Sequence, residues 1–173
     1  VRSLYMDLRA IEKSLLRLDE YPLEQWNPKL CEGVRFDVDK DANWFYNGSK
    51  IERLNMIKLF SKLIKMEGEN YFIVTPSEKI PVYVVNEVFS IIDFKKENDD
   101  YFFKTNTNEW IKLTKHSPLI VETKNNQPYP RIELNQKISG LLTRSLFYNL
   151  VSEAQNNGDN TFIESDKTLF FLN

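Results

Sequence analysis

Between Val34 and Asp39 the chain alternates without a break: Val34, Phe36 and Val38 are apolar, while Arg35, Asp37 and Asp39 are charged. That period fits an extended strand with one buried and one wet face, because successive side chains of a strand point to opposite sides. Lys40 to Asn43 then read as a turn, and Trp44-Phe45-Tyr46 as a second strand. Asn47-Gly48 follows, a pair that tolerates positive φ at both central positions of a tight hairpin. A chain punctuated in this way builds short paired strands.

The same reading extends along the chain. Residues 21–33 form an extended connector, since Pro22 and Pro28 prevent a regular helix, and Trp26 pins it to the core. Residues 52–66 are predicted to be an amphipathic helix ended by Gly68. Residues 70–75 and 80–85 are two apolar strands around Pro76-Ser77-Glu78-Lys79. The second half repeats the plan. Strands are expected at 88–94, 101–104, 110–113, 118–123 and 129–134, a helix at 136–155, and a closing hairpin at 161–164 and 168–172.

Phe36 lies eight residues before Trp44, and Phe102 eight before Trp110, each across a polar turn. After each predicted helix comes a similar hairpin, opened by Asn70-Tyr71-Phe72-Ile73 and by Asn160-Thr161-Phe162-Ile163. We therefore expect an α+β fold made of two similar sheet-plus-helix units, an internal duplication. The expected boundaries are an N-terminal helix over 1–23, a first unit over 24–84 and a second over 85–173. Trp44 and Trp110 are both expected to be buried.

Leu4, Leu8, Ile11, Leu15 and Leu18 make one helical stripe. A helix docked on the body of the protein is the first reading and a homodimer formed through this helix the second, because barely two heptads are present. Arg2, Asp7, Arg9, Glu12 and Lys13 interrupt the segment, so no signal peptide is expected. No run approaches a membrane-spanning length.

Composition narrows function mostly by exclusion. The net charge of −2 gives no bulk attraction to nucleic acid or a membrane, so neither is expected as a partner. One Cys allows no internal disulfide, which suits a reducing cytoplasm, and one His allows no multi-histidine metal site. Asp37, Asp39, Asp41 and Asn43 are spaced like the start of a calcium loop. The match fails at Ala42, where Gly is wanted, and at Gly48, where Glu is wanted. No metal and no cofactor are expected. Cys31 and His116 lack any nucleophile signature around them, and neither a phosphate-cradling glycine loop nor a nucleophile elbow occurs. Lys58, Lys62 and Lys65 read as a solvated helix face.

Phosphate can still be held by cations, hydroxyls or turn amides. The candidates are Arg53, Thr75, Lys79, Asn106 and Arg144, with Glu78 beside Lys79 in a polar turn between two apolar strands, and Tyr129 as a stacking face. The expectation is a crevice between the two units, with Arg144 giving a bidentate grip and Lys79 a mobile point charge. No catalytic residue is expected.

From residue 26 to about 154 the chain resembles the bacterial family known as domain of unknown function 1285. The resemblance rests on Trp26-Asn27-Pro28; Trp44-Phe45-Tyr46-Asn47-Gly48-Ser49 with Ile51 and Arg53; Tyr71-Phe72-Ile73-Val74-Thr75-Pro76 with Glu78-Lys79; Thr105-Asn106; His116 with Pro118-Leu119; Pro128-Tyr129; and Arg144 with Phe147-Tyr148 and Leu150-Val151. It implies an α+β protein with an internal duplication whose second domain is superficially like a pleckstrin-homology fold. It also implies a pocket suited to a nucleotide-like ligand and a role in signalling. The resulting expectation is a cytoplasmic ligand-binding module, with a protein-interaction scaffold and then a hydrolytic enzyme as the alternatives.

Overall fold

The structure is a computed structural model and describes residues 21–135 and 138–173. The N-terminal stripe, with its docking and dimerisation readings, lies outside the described residues. The chain divides into two compact units. The first runs through Asp37 and resumes over Trp44–Tyr83; the second takes Val38–Asn43 and Val84–Asn173.

The first unit is built on β1 (Phe36–Val38), β2 (Trp44–Tyr46), β3 (Ser49–Lys50), α1 (Leu54–Lys62), β4 (Ile64–Glu67), β5 (Asn70–Val74) and β6 (Lys79–Val84). Its six strands lie in the order β3-β2-β1-β6-β5-β4. The alternation seen in sequence sets the faces. Phe36 and Val38 are fully buried, while Arg35 points outward to pair with Asp37 and to cover the ring of Tyr83 at 4.1 Å. Phe36 is the centre of the core. Its ring lies 6.1 Å from Trp44, 5.0 Å from Tyr46 and 5.0 Å from Phe60 of α1. Asn47 and Gly48 turn β2 into β3 at positive φ, 46° and 84°.

The first predicted helix is too long by a few residues. It stops at Lys62, and Ile64–Glu67 is a strand in antiparallel register with β5, Ile64 opposite Ile73. Leu63-Ile64-Lys65-Met66 fits either period, and pairing with β5 decides it. Gly68, at φ 62°, therefore turns a hairpin instead of capping a helix.

The second unit holds β7 (Phe89–Glu97), β8 (Asp100–Thr105), β9 (Trp110–Lys112), β10 (Leu119–Lys124), β11 (Gln127–Asn135), β12 (Ile138–Leu142), α2 (Arg144–Glu153), β13 (Gln155–Asn156), β14 (Thr161–Ser165) and β15 (Thr168–Phe171). Six strands form a sheet in the order β10-β11-β12-β7-β8-β9, and β13-β14-β15 form a small sheet of their own. The predicted helix over 136–155 is corrected here too: Ile138–Leu142 is strand β12, which runs parallel to β7 with Gly140 beside Phe89. The glycine explains the site of contact. A Cβ on residue 140 would lie 2.6 Å from Cδ1 of Ile91 and 3.3 Å from Cβ of Phe89, so a larger residue would collide with the buried Ile91 side chain. Thr143 then caps α2, its Oγ1 accepting from the Leu146 amide at 3.4 Å.

Trp110 departs from expectation. It is 40% exposed, against 0% for Trp44. Register is the cause: Lys104 pairs with Trp110 and Phe103 with Ile111, so Phe103 points inward while Trp110 stands outward under Lys95, 4.6 Å away. The two Phe-to-Trp spacings are thus not equivalent. What does repeat is a six-stranded sheet with one helix, and a helix followed at once by a three-strand meander. α1 leads into β4-β5-β6 and α2 into β13-β14-β15. The chain is an α+β protein with an internal duplication.

The second core gathers Ile91, Phe103, Leu113, Ile132, Leu150 and Ile163, with Leu146 and Phe147 from the inner face of α2. Ser165 is fully buried within it and fully used. Its Oγ accepts from the Tyr101 amide at 2.9 Å and donates to the Leu113 carbonyl at 2.8 Å, tying β14 to the large sheet. No helix among the described residues is long and apolar enough to cross a membrane.

Candidate functional site

β12 ends at Leu142, Thr143 caps the next helix, and α2 starts at Arg144. This junction lies beside the start of β7, because the parallel register puts Leu141 next to Ser90. A cavity of about 540 Å³ opens there, within the second unit. Its apolar wall is Phe89, Pro128, Pro130, Leu141, Leu142 and Phe147. Its polar lining includes Glu87, Tyr129, Thr143, Arg144 and Tyr148, with Lys40 and Asp41 from the 38–43 segment. A mostly apolar wall with a few polar groups is the common make-up of a small-molecule site.

Arg144 is the first residue of α2, where backbone amides and the helix dipole favour an anion. It is exposed, and its Nε donates to the Tyr148 hydroxyl one turn on, at 3.3 Å. That contact engages one of five guanidinium donors. Glu133 and Glu153, acids of the same unit, are engaged with residues other than Arg144. Glu133 binds Arg131 at 2.9 Å, and Glu153 accepts from the Tyr101 hydroxyl at 3.1 Å.

The cavity also holds a two-acid pair. The Tyr129 hydroxyl donates to Oε1 of Glu87 at 3.2 Å. Burial pushes the Glu87 carboxyl above the usual range, opposed by that hydrogen bond and by the charges of Arg131 and Lys124. Burial, and then the charge of Glu87, push the Tyr129 phenol up. Lys124 caps the Tyr129 ring, with Nζ 3.6 Å from its centre.

Of the residues expected from sequence, Tyr129 and Arg144 line this cavity together. Asn106 stands behind its wall. The Asn106 Oδ1 accepts from the Ser90 amide at 3.2 Å, and the Asn106 backbone amide donates to the Ser90 carbonyl at 2.8 Å. Arg53, Thr75, Glu78 and Lys79 belong to the first unit. The Arg53 carbonyl accepts from the Met56 amide at the start of α1. Thr75 is buried and closes its own turn, its Oγ1 accepting from the Glu78 amide at 3.0 Å. Burial raises the Glu78 carboxyl. Lys79 pairs with Glu67 and lies 4.4 Å over the Phe72 ring. Asp39, from the calcium-like spacing, turns its carboxylate onto the amides of Asp41 and Asn43, both at 2.9 Å.

Sequence reasoning missed Glu87, Phe89, Phe147 and Tyr148 as lining. The helical i, i+4 spacing from Arg144 was a usable signal for Tyr148. Glu87 offered none, since nothing local distinguishes it from other surface acids.

Comparison with known proteins gives a consistent answer on kinship. Residues 21–88 match the N-terminal domain of a domain of unknown function, DUF1285, and residues 88–172 match its C-terminal domain. The fold is similar to that of a DUF1285 family protein from Silicibacter pomeroyi DSS-3, with a TM-score of 0.83 and 23% identity over 95% of this chain and 93% of that one. It is also similar to a DUF1285 family protein from Shewanella baltica OS155, with a TM-score of 0.58 and 23% identity over 72% of this chain and 96% of the other. No curated protein matches the chain.

Proposed function

We propose a ligand-binding function for this chain, which belongs to the DUF1285 family. The ligand is a small anion carrying a ring, of nucleotide type, seated in the cavity at the start of α2. One observation carries the reading: Arg144 stands at the first position of a helix on the rim of an apolar-walled cavity of about 540 Å³. The guanidinium and the first-turn amides suit a phosphate, and Phe89, Phe147 and the prolines suit a flat ring. A binding module of this kind acts as a sensor in the bacterial cytoplasm, where nucleotides are the abundant ligands of that shape and charge.

The test is a thermal-shift series with mono-, di- and cyclic nucleotides. A ligand at a hundred times its dissociation constant stabilises the fold by about 2.7 kcal/mol. Arg144→Ala is expected to abolish most of the shift while leaving the melting temperature of the unliganded protein nearly unchanged, because the side chain is exposed and makes one hydrogen bond. No shift with any nucleotide, or a shift indifferent to Arg144→Ala, would overturn the reading.

A further inference from the structure

The anion-binding features account for only part of the cavity. The remaining polar pair, Glu87 with Tyr129, has no role in holding a phosphate, since a carboxylate repels one. Its chemistry is that of an acceptor. The Tyr129 hydroxyl donates to Oε1, at 3.2 Å, and an ionised carboxylate has lone pairs on both oxygens beyond that bond. Glu87 is half-buried and lines the same cavity as Arg144, Phe89 and Phe147. A ring lying against the apolar wall would bring one of its edges to this pair.

Resting on the nucleotide reading above, we infer that Glu87 selects the base, favouring a ring edge that presents two adjacent N–H donors, as guanine does, over one that presents an acceptor beside a donor, as adenine does. The reason is geometric. The ring N–H and exocyclic amine of guanine match the two oxygens of one carboxylate, a bidentate arrangement. Adenine would place a ring nitrogen lone pair against a carboxylate oxygen and leave two acceptors facing each other. A hydrogen bond to a charged group is worth enough that each lost or opposed contact costs roughly 10- to 100-fold in affinity. Tyr129 acts here as a positioning residue, holding Glu87 through one lone pair of Oε1 so that both oxygens keep a lone pair turned to the ring edge. Asn106, clamped on the Ser90 backbone, fixes the strand from which the opposite wall rises.

The experiment is calorimetric titration of the whole chain with GMP, IMP and AMP. The order expected is GMP tightest, then IMP, which keeps the ring N–H but lacks the amine, then AMP. Glu87→Gln replaces one acceptor oxygen by a donor of nearly the same shape. It is expected to reduce the GMP-to-AMP affinity ratio by at least about tenfold, moving preference toward AMP, whose edge suits an amide. A change of preference is a readout that mere loss of structure does not produce. Should Glu87→Gln fail to fold, Glu87→Asp, which withdraws the carboxylate by one methylene, is expected to lower the same ratio. If GMP and AMP bind alike and both are lost with Arg144→Ala, the nucleotide reading stands and the base-selection inference falls. A ratio unchanged by Glu87→Gln overturns it equally. Binding of none of the three nucleotides overturns it together with the nucleotide reading.

Discussion

Trp44→Ala is expected to cost about 3–5 kcal/mol, a large share of the roughly 5–15 kcal/mol that holds a typical domain folded. Trp44 is fully buried and packs its edge against Phe36, which itself touches Tyr46 and Phe60. Deleting the indole removes a large apolar surface and opens a cavity beneath β1 and α1, and close-packed surroundings relax only in part. Far-UV circular dichroism through a guanidinium titration measures the loss. Two companions sharpen it. Trp110→Ala, on an exposed tryptophan, is expected to cost below about 1 kcal/mol. Trp44→Phe should cost far less than Trp44→Ala, because among the described residues the Trp44 Nε1 donor is buried without a hydrogen-bond partner and its removal leaves nothing unpaired. Equal losses for the two alanine variants would contradict the assignment of faces.

Phe103→Ala is expected to cost a similar 3–5 kcal/mol in the second unit, and to abolish ligand binding as well. Phe103 is fully buried, with Phe94 at 6.0 Å and Tyr101 at 6.4 Å, and it shares its core with Leu146, Phe147 and Leu150 of α2. The helix that carries Arg144 and Phe147 is held by that core. Loosening it displaces both cavity residues at once. The contrast with Arg144→Ala is diagnostic: one variant loses binding with stability, the other loses binding alone. Paired melting and titration measurements decide, and a Phe103→Ala protein that melts early yet binds as before would show that α2 does not position the site.

Much of the fold was legible because turn chemistry is local. Asn47-Gly48 and Asn125-Asn126 turn their hairpins at positive φ, as their side chains allow. Both helices were read too long, in each case into a strand. Ile64–Glu67 and Ile138–Leu142 are too short for their period to choose between helix and strand, and the choice is made by the strand each one pairs with. Thr143 was the available clue to the second boundary, a capping residue sitting in the middle of the predicted helix. Trp110 shows the same limit, since its face depends on a register set against β8. At the site, Arg144 and Tyr129 were found as residue types that suit an anion and a ring. Glu87 was not, because its meaning comes from the Tyr129 hydroxyl bonded to it and from burial, neither of which a sequence displays.

The parallel pairing of β12 with β7 also dictates an order of events as the chain is made. β7 and β8 can join as soon as both have left the ribosome, since a tight turn connects them. The other edge of β7 must wait for Ile138–Leu142. Until then it presents unpaired amides and carbonyls, the hazard that recruits chaperones or seeds mispairing. Closing so long a loop is entropically slow, so this seam sets the pace for the unit. Ser90, Leu141 and Thr143 lie on the seam, which makes the cavity a late part of the unit to form. Refolding followed by stopped flow should show helix and strand signals recovering before nucleotide capture does. A nascent chain that stops short of β12 keeps its hairpins but has no site.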